Sequence, residues 1–594
     1  MNVLLTTLNS KYIHSSLSIR YLRSYCQDVL PNIDLEEYTI NQNVDFITGE
    51  IFKKKPDIVA FSCYIWNIDE TLQIAEGLKT VKKDIKIILG GPEVSFNSKE
   101  MLEKFSFIDF IIYGEGEETF KDLLLELKNK DYNFNDIDGL VYRFGDQIIG
   151  TKPRLAIENL DDIPSPFDGD LSEFRNKIVY FESSRGCPFN CNFCLSSTIN
   201  GVRFFSIERV KSDLKKLIDA EVRQVKFVDR TFNANKIYAF DIMNFIMEQN
   251  VENINFHFEV TAHLLDDEML DFLKKVPKGL FQFEIGVQST NEKTIKAIDR
   301  TTDFKKLSEV VKRIKDYSNI HQHLDLIAGL PYEDYQSFRN SFNDVYDLKP
   351  DKLQLGFLKL LKGSKLRDKK GEHGFKFINK APYEVLETSY ISYEEILRLK
   401  IIEDLVEKYG NETDFIHSIG YTINNYYSSP FDFFEDFSLY WEQKEYHKRN
   451  HSKKNLYKIF FEFYREKIGD NLRVFNEVLK YDFIYNNKNP NLPEFIYSYD
   501  KEEIRSIRHD FLGNEKNVEK YLSDYKDIKV KKIIKEIHFE KFNFNIIKFI
   551  NNDYNLKEME KRETLIMFNY NAKNTLDNIN KCKTSDVTID FFKE

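Results

Sequence analysis

The stretch KIVYFESSRGCPFNCNFCLSS, residues 177–197, joins a short apolar run to a loop with three closely spaced cysteines. Cys187, Cys191 and Cys194 follow the pattern C-x3-C-x2-C and make up half of the six cysteines in the 594-residue chain. Thiolates are ligands of zinc and of iron–sulfur clusters. Three of them form an incomplete set for most metals, so the spacing raises the question of what fills the fourth position.

Several chemistries could use such a loop. A zinc site needs a fourth Cys or His, and the sequence has no His between His14 and His257. A disulfide would leave one thiol over, and a structural four-cysteine cluster has no evident fourth ligand at ferredoxin spacing. A [4Fe–4S] cluster held by three thiolates leaves one iron open for a substrate-like ligand, and we favour this interpretation.

The region that starts with this loop, residues 176–368, alternates between strand-like and helix-like segments. Helical stretches such as 235–250 and 304–317 separate short apolar runs. Six βα units of this kind predict a partial (β/α)6 barrel, whose chemistry belongs at the carboxyl ends of its strands. The strand-like runs are 177–184, 224–233, 254–260, 280–290, 323–333 and 352–363.

The region before the loop, residues 1–130, shows a similar alternation. Its apolar runs and the amphipathic stretches between them indicate a parallel sheet with helices on both faces. Ligands of such sheets lie outside the carboxyl ends of the strands, and glycines there let the backbone approach a ligand, although βα turns alone would also explain them. No G-x-G-x-x-G follows the first strand, so this is no dinucleotide fingerprint. The candidate segments are Asn9–Ser16, Ser62–Trp66, Gly90–Ser95 and Gly114–Glu117.

Three further segments can be interpreted from their pattern. Residues 139–154 resemble a hairpin, and residues 158–170, rich in Pro and Asp, indicate a linker. The region after 380 has a helical rhythm, and its aromatic run at 430–441 is more typical of helix core than of a substrate pocket. Alternating apolar and polar residues predict strands within 534–549.

Composition narrows the class of protein. The net charge of −11 argues against a nucleic-acid partner. No apolar run reaches the roughly 18 residues of a membrane span, and the first residues lack the pattern of a signal peptide. Cys26, Cys63 and Cys582 are scattered, which fits reduced thiols in a cytoplasmic protein.

The cysteine motif, with Phe193 before its last cysteine and a partial barrel behind it, resembles the radical S-adenosylmethionine (SAM) superfamily. The preceding sheet region, with LLTTLNSKYIHSSLSIRYL at 4–22 and ILGGPEVS at 88–95, is similar to the cobalamin-binding domain of its B12-dependent class. The last region resembles a domain of uncharacterised function. The resemblance implies an α/β protein with a flavodoxin-like (Rossmann-like) cobalamin-binding domain at 1–135, a hairpin and linker at 136–175, a radical SAM partial barrel at 176–370 and a mainly helical C-terminal domain at 371–594.

The resemblance also implies an activity and three cofactors, namely a [4Fe–4S] cluster, SAM and cobalamin. In that class SAM binds the open iron, and one electron cleaves it to methionine and a 5′-deoxyadenosyl radical. The radical takes a hydrogen atom from an unreactive carbon, to which methylcobalamin then delivers a methyl group. A flavodoxin or ferredoxin would supply the electron. The substrate would be a small molecule or a peptide, with no nucleic acid or membrane involved, and the C-terminal domain would close the site and select that substrate.

The cysteines Cys187, Cys191 and Cys194 are the implied cluster ligands. The family's glycine-glycine-glutamate motif is absent after the second strand, where FVDRTFN stands at 227–233. Two residues of this segment are expected at the methionine end of SAM, and others at its adenine, ribose or carboxylate. Each of them could instead make only structural hydrogen bonds in the barrel lumen. The expected SAM contacts are Phe193, Asp229, Arg230, Glu259, Gln288, Arg300 and Leu330.

The region that resembles a cobalamin-binding domain lacks the motif that supplies a His ligand to cobalt. Many cobalamin proteins use D-x-H-x-x-G, whose His binds cobalt, but no Asp stands two positions before His14. We therefore expect cobalt to lack a His ligand, with Tyr64 or Trp66 covering its lower face, although a core or helix-cap aromatic is an equally good explanation of Trp66. The expected cobalamin contacts are Asn9, Ser15, Ser62, Tyr64, Trp66, Gly90, Gly91, Pro92, Glu93, Glu115 and Gly116.

Three rival functions remain to be weighed. A B12-dependent radical SAM cyclase or rearranging enzyme would share all these motifs and differ only in its product. A methylthiotransferase acting on tRNA would need three more cysteines before the barrel, where only Cys26 and Cys63 stand. A B12 sensor or storage module would need no cysteine loop. The sequence favours a B12-dependent methylase.

Overall fold

The computed structural model describes residues 1–130, 132–199, 201–488, 490–499, 501–525, 528, 530–570 and 582–591. The chain divides into two units. The first comprises Met1–Asp334 and Gly356–Ser392, and the second comprises Tyr335–Leu355 and Tyr393–Glu594.

The first unit begins with a seven-stranded sheet in the order β2–β1–β3–β4–β5–β6–β7. Its first five strands are parallel, and the hairpin β6–β7 continues the sheet in antiparallel fashion from β5. The segment that resembled a separate hairpin is therefore part of this sheet. The strands are β1 (Val3–Asn9), β2 (Ile33–Thr39), β3 (Ile58–Ser62), β4 (Lys86–Gly90), β5 (Phe110–Ile112), β6 (Leu140–Phe144) and β7 (Gln147–Gly150).

Helices cover both faces of this sheet, which is why its strands are continuous apolar runs. On β3, Val59 and Phe61 point into one core, and Ile58 and Ala60 point into the other. The helices are α1 (Leu17–Cys26), α2 (Val44–Lys53), α3 (Ile68–Val81), α4 (Pro92–Ser95), α5 (Ser98–Lys104) and α6 (Glu117–Asn129). The predicted parallel sheet with helices on both faces is confirmed.

A second sheet follows with six strands in the order β15–β14–β13–β12–β11–β8. The pairs from β8 through β14 are parallel, and only Gly356 and Phe357 of β15 belong to the first unit. This is the predicted partial (β/α)6 barrel. Its strands are β8 (Ile178–Phe181), β11 (Gln224–Phe227), β12 (Asn255–Glu259), β13 (Phe281–Gln288), β14 (His321–Ala328) and β15 (Lys352–Phe357).

The alternation of side chains along the barrel strands explains the polar interior of the barrel. On β13, Phe281, Phe283, Ile285 and Val287 are buried, whereas the residues between them are partly accessible. The helices between the strands are α7 (Ile207–Asp219), α8 (Lys236–Glu248), α9 (Asp267–Leu273), α10 (Glu292–Ala297) and α11 (Phe304–Tyr317), and α13 (Lys365–Asp368) follows β15. Two short antiparallel pairs complete this unit, β9 (Ser184–Gly186) with β10 (Val202–Phe204) and β16 (Lys376–Phe377) with β17 (Val385–Glu387).

The second unit is mainly helical, as expected. Its helices are α12 (Tyr335–Tyr346), α14 (Tyr393–Leu405), α15 (Ile416–Tyr426), α16 (Pro430–Gln443), α17 (Lys453–Lys467), α18 (Leu472–Asn486), α19 (Lys501–Gly513), α20 (Glu515–Tyr521), α21 (Val530–Ile533), α22 (Ile546–Asn551) and α23 (Thr588–Phe591). A three-stranded antiparallel sheet joins them, with β18 (Ile537–Phe542), β19 (Thr564–Asn569) and β20 (Lys583–Asp586).

Two sequence expectations about this unit have opposite outcomes. The aromatic run on α16 is helix core, since Phe433, Phe437 and Trp441 are fully buried. The expected strands within 534–549 are confirmed only for β18. The rest was wrong, because the Asn545 side chain accepts a hydrogen bond from the Lys548 amide and starts helix α22 at Ile546.

Candidate functional site

The cysteine loop lies at the carboxyl end of β8, at the mouth of the barrel. All three of its thiols line a cavity of about 300 Å³, which we call the thiol cavity. The Cys191 thiol is mostly buried and lies 3.7 Å from Nη1 of Arg300. Burial raises the pKa of the Cys191 thiol, and the Arg300 guanidinium opposes that rise. All six cysteines of the chain are free thiols.

The loop is held in place on both sides. Asn192, between two of the cysteines, donates from its backbone amide to the Ile298 carbonyl (2.9 Å) and from Nδ2 to the Ala297 carbonyl (3.1 Å). Its own carbonyl accepts a hydrogen bond from the Leu366 amide of α13 (2.9 Å). The backbone of α10 and α13 therefore fixes the outer side of the loop.

Asp229 anchors the start of the same loop. Its carboxylate accepts hydrogen bonds from the Ser183 amide (3.0 Å), the Ser183 hydroxyl (2.6 Å) and the Ser184 hydroxyl (2.6 Å). The side chain is buried and does not line the thiol cavity. Both carboxylate oxygens are occupied by donors of the loop, and the expected contact of Asp229 with SAM stays a prediction.

The opposite wall of the thiol cavity comes from neighbouring barrel strands. Glu259 ends β12, Glu284 and Gln288 lie on β13, and Asp325 lies on β14. A bulge between Gly286 and Gln288 interrupts the ladder, and Gln288 has a φ of 71°. Such a conformation is costly for a residue with a side chain and is typical of functional sites.

Charges in this wall are strongly coupled. Against the effect of burial, His257 and Lys226 lower the pKa of Glu284 to about 2. Burial and the carboxylates of Glu284 and Glu259 raise the pKa of Asp325 to about 8. Asp325 Oδ1 and Gln288 Oε1 are buried and have no hydrogen-bond partner among the described residues. The cavity therefore offers a carboxyl oxygen and an amide oxygen that a polar ligand could satisfy.

Five of the seven expected SAM residues line the thiol cavity, and two do not. Leu330, like Asp229, lies outside it, because Leu330 is fully buried in the apolar cluster behind Phe193. The residues that line it are Phe193, Arg230, Glu259, Gln288 and Arg300. Sequence reasoning missed Glu284, Gly286 and Asp325, although the alternation along β13 and β14 would have placed all three in the lumen.

A second cavity, of about 740 Å³, opens at the carboxyl ends of the first sheet, and we call it the large cavity. Its floor is apolar and includes Leu5, Ala60 and Ile88 on the face of the sheet that α1 and α6 cover. Its rim carries glycines and short polar side chains. It therefore offers a deep apolar slot below a polar mouth, a form that suits a large ligand with an apolar part.

Six expected cobalamin residues line the large cavity, namely Ser62, Gly90, Gly91, Pro92, Glu115 and Gly116. One glycine is required by the fold itself, since Gly91 has a φ of 106° and a Cβ there would lie 2.5 Å from the Cys63 carbonyl oxygen. Other glycines leave open space, because nothing lies within 4 Å of a Cβ built at Gly114.

The other five expected cobalamin residues lie outside the lining, each with partners of its own. The Asn9 amide donates to Glu37, the Ser15 hydroxyl donates to the Ile178 carbonyl, and Glu93 pairs with Lys362. Trp66 Nε1 donates to the Leu8 carbonyl (3.1 Å), and its ring stacks on Tyr64 at 4.4 Å. The structure therefore gives the Tyr64–Trp66 pair a structural contact, while its expected place at cobalt stays a prediction.

An ion-pair group joins the mouth of the large cavity to the start of the cysteine loop. Arg185 contacts Glu182 (3.1 Å) and Glu117 (2.5 Å), and Arg203 pairs with Glu115. Arg203, Arg185 and the Ile157 amide lower the pKa of Glu115 against the effect of burial, whereas burial raises the pKa of Glu182 to about 7. These residues form the wall between the first sheet and the barrel.

The two cavities adjoin, because Ser196 and Arg230 line both of them. Arg230 Nη1 lies 3.9 Å from Glu259 Oε1, and Arg230 is the more exposed residue of this ion pair. A ligand in either cavity would therefore meet the same guanidinium group. The sequence predicted Arg230 only as a contact at one of the two sites.

Among the described residues, no three His, Cys, Asp or Glu side chains are grouped closely enough to hold a single metal ion. The three thiols that line the thiol cavity are the kind of ligand that an iron–sulfur cluster takes. As for membranes, none of the helices in the described part of the chain combines the length and hydrophobicity that crossing a bilayer requires.

Comparison with protein families agrees with this geometry. Residues 3–124 match the B12 binding domain, residues 181–345 match the radical SAM superfamily, and residues 371–568 match a protein family of unknown function, DUF4080. The second range contains the whole lining of the thiol cavity, and the first contains the glycines that line the large cavity at the strand ends.

Curated relatives match about half of the chain. The chain is 25% identical over 320 residues to 2-(S-pantetheinyl)-carbapenam-3-carboxylate methyltransferase of Streptantibioticus cattleyicolor, and 27% identical over 318 residues to the cobalamin-dependent radical SAM methyltransferase TokK of Streptomyces tokunonensis. Each match covers 49% of this chain and 45% of the relative. An anaerobic magnesium-protoporphyrin IX monomethyl ester cyclase of Cereibacter sphaeroides is 25% identical over 343 residues, 52% of this chain and 53% of the relative. The chain thus spans about half the length of the curated relatives it matches.

A solved structure supports the fold. The cobalamin-dependent SAM radical enzyme OxsB, with aqua-cobalamin bound, aligns with a TM-score of 0.58 at 14% identity, over 89% of this chain and 84% of that chain. The chain therefore combines the two domains of cobalamin-dependent radical SAM enzymes, a B12 binding domain and a radical SAM domain, with a DUF4080 domain at its C-terminal side.

Proposed function

We propose that the chain is a B12-dependent radical SAM enzyme that methylates an unactivated carbon of its substrate. The observation that carries this proposal is the wall that the two cavities share, formed by Ser196 and Arg230. When bound, a [4Fe–4S] cluster with SAM supplies radical chemistry, and cobalamin supplies a transferable methyl group. Such a reaction has to bring both to one substrate, and adjoining cavities meet that need.

The thiol cavity holds the first pair of cofactors in this proposal. Cys187, Cys191 and Cys194 bind the cluster. The hydroxyl groups of a SAM ribose can satisfy the unpaired oxygens of Gln288 and Asp325. Arg300, already 3.7 Å from a cluster thiol, supplies the positive charge for the SAM carboxylate.

The large cavity holds cobalamin. Backbone groups at Gly90, Gly91 and Gly116 can approach a corrin ring closely because no side chain intervenes. The apolar floor suits a flat apolar group such as the nucleotide base of the cobalamin tail. His14 does not line the cavity, and its ring lies 2.9 Å from the Tyr180 hydroxyl, which supports a cobalt site without a His ligand.

Arg230 is the residue most suited to orient the substrate between the cofactors. It lines both cavities, and its pair with Glu259 at 3.9 Å is long for a charge-assisted hydrogen bond. Its guanidinium can therefore turn to a carbonyl, carboxylate or phosphate oxygen of a substrate. The proposed substrate is a small molecule or a peptide, and the proposed location is the cytoplasm, where thiols and such a cluster stay reduced.

The experiment is an anaerobic assay of the protein purified with cobalamin, with its cluster reconstituted and with SAM and dithionite added. Mass spectrometry would follow 5′-deoxyadenosine and S-adenosylhomocysteine. We expect both products from the wild type and neither above background from Cys191→Ala. Cys26→Ala is the matched control, because Cys26 is buried in the first unit away from either cavity. Neither product from a protein that binds cobalamin and iron would refute the proposal.

One alternative has a specific observation in its favour. The relative named as a cyclase matches a similar share of this chain to the two relatives named as methyltransferases. A cyclase or rearranging enzyme would yield 5′-deoxyadenosine without S-adenosylhomocysteine, in the presence of a substrate that turns over, and its product would have gained no methyl group. The same assay therefore separates the two functions.

A further inference from the structure

The outer side of the cysteine loop is covered by a basic surface. Residues 359–376 contain seven Lys or Arg and two Asp or Glu, a net charge of +5 with His neutral, in a chain whose net charge is −11. This segment includes α13, whose Leu366 amide donates to the Asn192 carbonyl inside the cysteine loop. A strongly basic segment of an otherwise acidic chain therefore lies beside the cysteine loop.

The layer between this surface and the thiols is thin. Phe193, next to Cys194 in the chain, packs against an apolar cluster that includes Leu366 of α13 and Ile295 and Ile298 around α10. The neighbouring residues Lys296 on α10 and Lys365 on α13 are exposed. This apolar cluster therefore lies between the cysteine loop and helices that carry exposed lysines.

The lysines of this surface are available to a partner. Lys296, Lys365, Lys369 and Lys370 are exposed, and among the described residues no carboxylate lies within ion-pair distance of their ammonium groups. We call these four residues the lysine patch. Two other lysines of the same segment are occupied, since Lys362 pairs with Glu93 and Lys376 pairs with Glu387.

We propose that the lysine patch is the docking surface for an acidic one-electron carrier protein that reduces the cluster. This inference rests on the proposed function, because the reaction consumes one electron for each SAM cleaved. The carrier's flavin or iron–sulfur centre is oxidised by one electron and the cluster is reduced by one, with no bond formed between the proteins. Complementary charge makes such encounters fast and short-lived, which suits a carrier that must leave after each transfer.

The location of the lysine patch next to the cysteine loop favours this kind of partner. Electron transfer slows steeply with distance, so a carrier gains from docking where the protein layer over the cluster is thinnest. A surface that served only solubility would have no reason to concentrate its positive charge over one loop of an acidic chain. The patch also leaves the mouths of both cavities free, because none of its four lysines lines either cavity.

The test compares two triple variants of the whole 594-residue chain. Lys365→Glu/Lys369→Glu/Lys370→Glu reverses the patch. The control, Lys274→Glu/Lys275→Glu/Lys278→Glu, makes the same charge change at exposed lysines after α9, before β13 and thus at the opposite end of the barrel strands. Each protein would be assayed for 5′-deoxyadenosine with dithionite and, separately, with reduced flavodoxin as the probe. Binding of flavodoxin would be measured by surface plasmon resonance at low and high salt.

We expect the patch variant to keep its dithionite-driven rate and to lose about tenfold or more of its flavodoxin-driven rate and association rate at low salt. The control variant should match the wild type. Equal flavodoxin-driven rates and binding in the patch variant and the wild type would overturn the proposal, even if the patch bound another polyanion. Equal losses in both variants would also overturn it, because they would reflect overall charge.

Folding and the proposed function are separated by two further readouts. The Lys365→Arg/Lys369→Arg/Lys370→Arg variant keeps the charge and should retain flavodoxin-driven activity, and its loss would overturn the proposal. If the Glu variant fails to fold, flavodoxin binding would be measured at low and high salt with the wild type and with Lys296→Gln. Binding that changes neither with salt nor with this substitution would refute docking on the lysine patch. A wild type that forms no 5′-deoxyadenosine with dithionite would refute the proposed function, whereas the flavodoxin binding data would still test the docking surface.

Discussion

The two cavities of the first unit lie side by side and are built in opposite ways. The large cavity has an apolar floor and a rim with several glycines, so its form depends on the absence of side chains at that rim. The thiol cavity is less than half that volume and is lined by three thiols, three carboxyl groups and two guanidinium groups. One site selects its ligand by shape and the other by charge, and they should respond to different kinds of mutation.

The largest effect should come from filling the floor of the large cavity. Ala60→Phe places a ring where Leu5, Ala60 and Ile88 now leave space, and we expect cobalamin affinity to fall about 10- to 100-fold, the range that overpacking costs imply. SAM binding should be unchanged. Equilibrium dialysis with each ligand measures both effects.

The neighbouring residue provides the control for this change. Val59 points into the other core of the same sheet, so Val59→Leu should cost about 1–3 kcal/mol of stability and leave cobalamin affinity intact. If both variants lost cobalamin equally, the cavity floor would not be the binding slot.

A smaller effect is expected in the thiol cavity from a single methyl group. A Cβ at Gly286 would lie 2.2 Å from Nε2 of Gln288 and 3.3 Å from Nη2 of Arg300. Gly286→Ala should displace the Gln288 amide and weaken SAM binding about 5- to 10-fold, the equivalent of one or two hydrogen bonds. Cobalamin binding should not change.

Gly49→Ala is the matched control, since nothing lies within 4 Å of a Cβ there and the residue is inside helix α2. That variant should gain about 0.5–1 kcal/mol of stability and bind SAM as the wild type does. Unchanged SAM affinity in Gly286→Ala would remove Gln288 from the SAM site.

A last expected effect is on stability instead of ligand binding, and it concerns charge alone. Because the pKa of Asp325 is raised to about 8 from the roughly 3.9 of an unfolded chain, the folded protein keeps a proton that the unfolded chain releases. The contribution of Asp325 to stability therefore falls as pH rises from about 4 to about 8 and then levels off. Asp325→Asn cannot ionise.

The Tm of Asp325→Asn relative to the wild type should accordingly rise by a few degrees between pH 5 and pH 8, both measured without ligands. The difference between the two proteins cancels the titration of all other groups. A difference independent of pH would mean that Asp325 is ionised throughout this range.

Much of this organisation could be predicted from the sequence because it depends on local pattern. Both parallel sheets follow from apolar runs alternating with helices, and the cysteine loop follows from its spacing. Gly90, Gly91 and Gly116 were expected at the carboxyl ends of the strands and line the large cavity, while their contact with cobalamin stays a prediction. Gln288 and Glu259 were expected as SAM contacts because each ends a strand, and both line the thiol cavity.

The remaining site residues depend on contacts between distant segments. Asp229 stands where a SAM contact was expected, but Ser183 and Ser184, more than 40 positions earlier, occupy its oxygens. Asp325 lies within a strand instead of at its end, so a search of strand ends overlooked it, although the alternation along β14 would have placed it in the lumen. Asn545, a helix cap at the end of an alternating run, was overlooked because strand periodicity was the stronger pattern.

The ion pairs of Arg185 and Arg203 have a consequence for modular engineering. The sequence suggests a clean exchange of residues 1–130 for the corresponding domain of a relative. Such a chimera would separate both arginines from Glu115 and Glu117, and a mostly buried cation without its partner costs about 3–5 kcal/mol. A graft would have to carry the acidic pair with it. An exchange of domains in this chain therefore has to keep both sides of this ion-pair interface together, whereas domain borders drawn from the sequence would divide it.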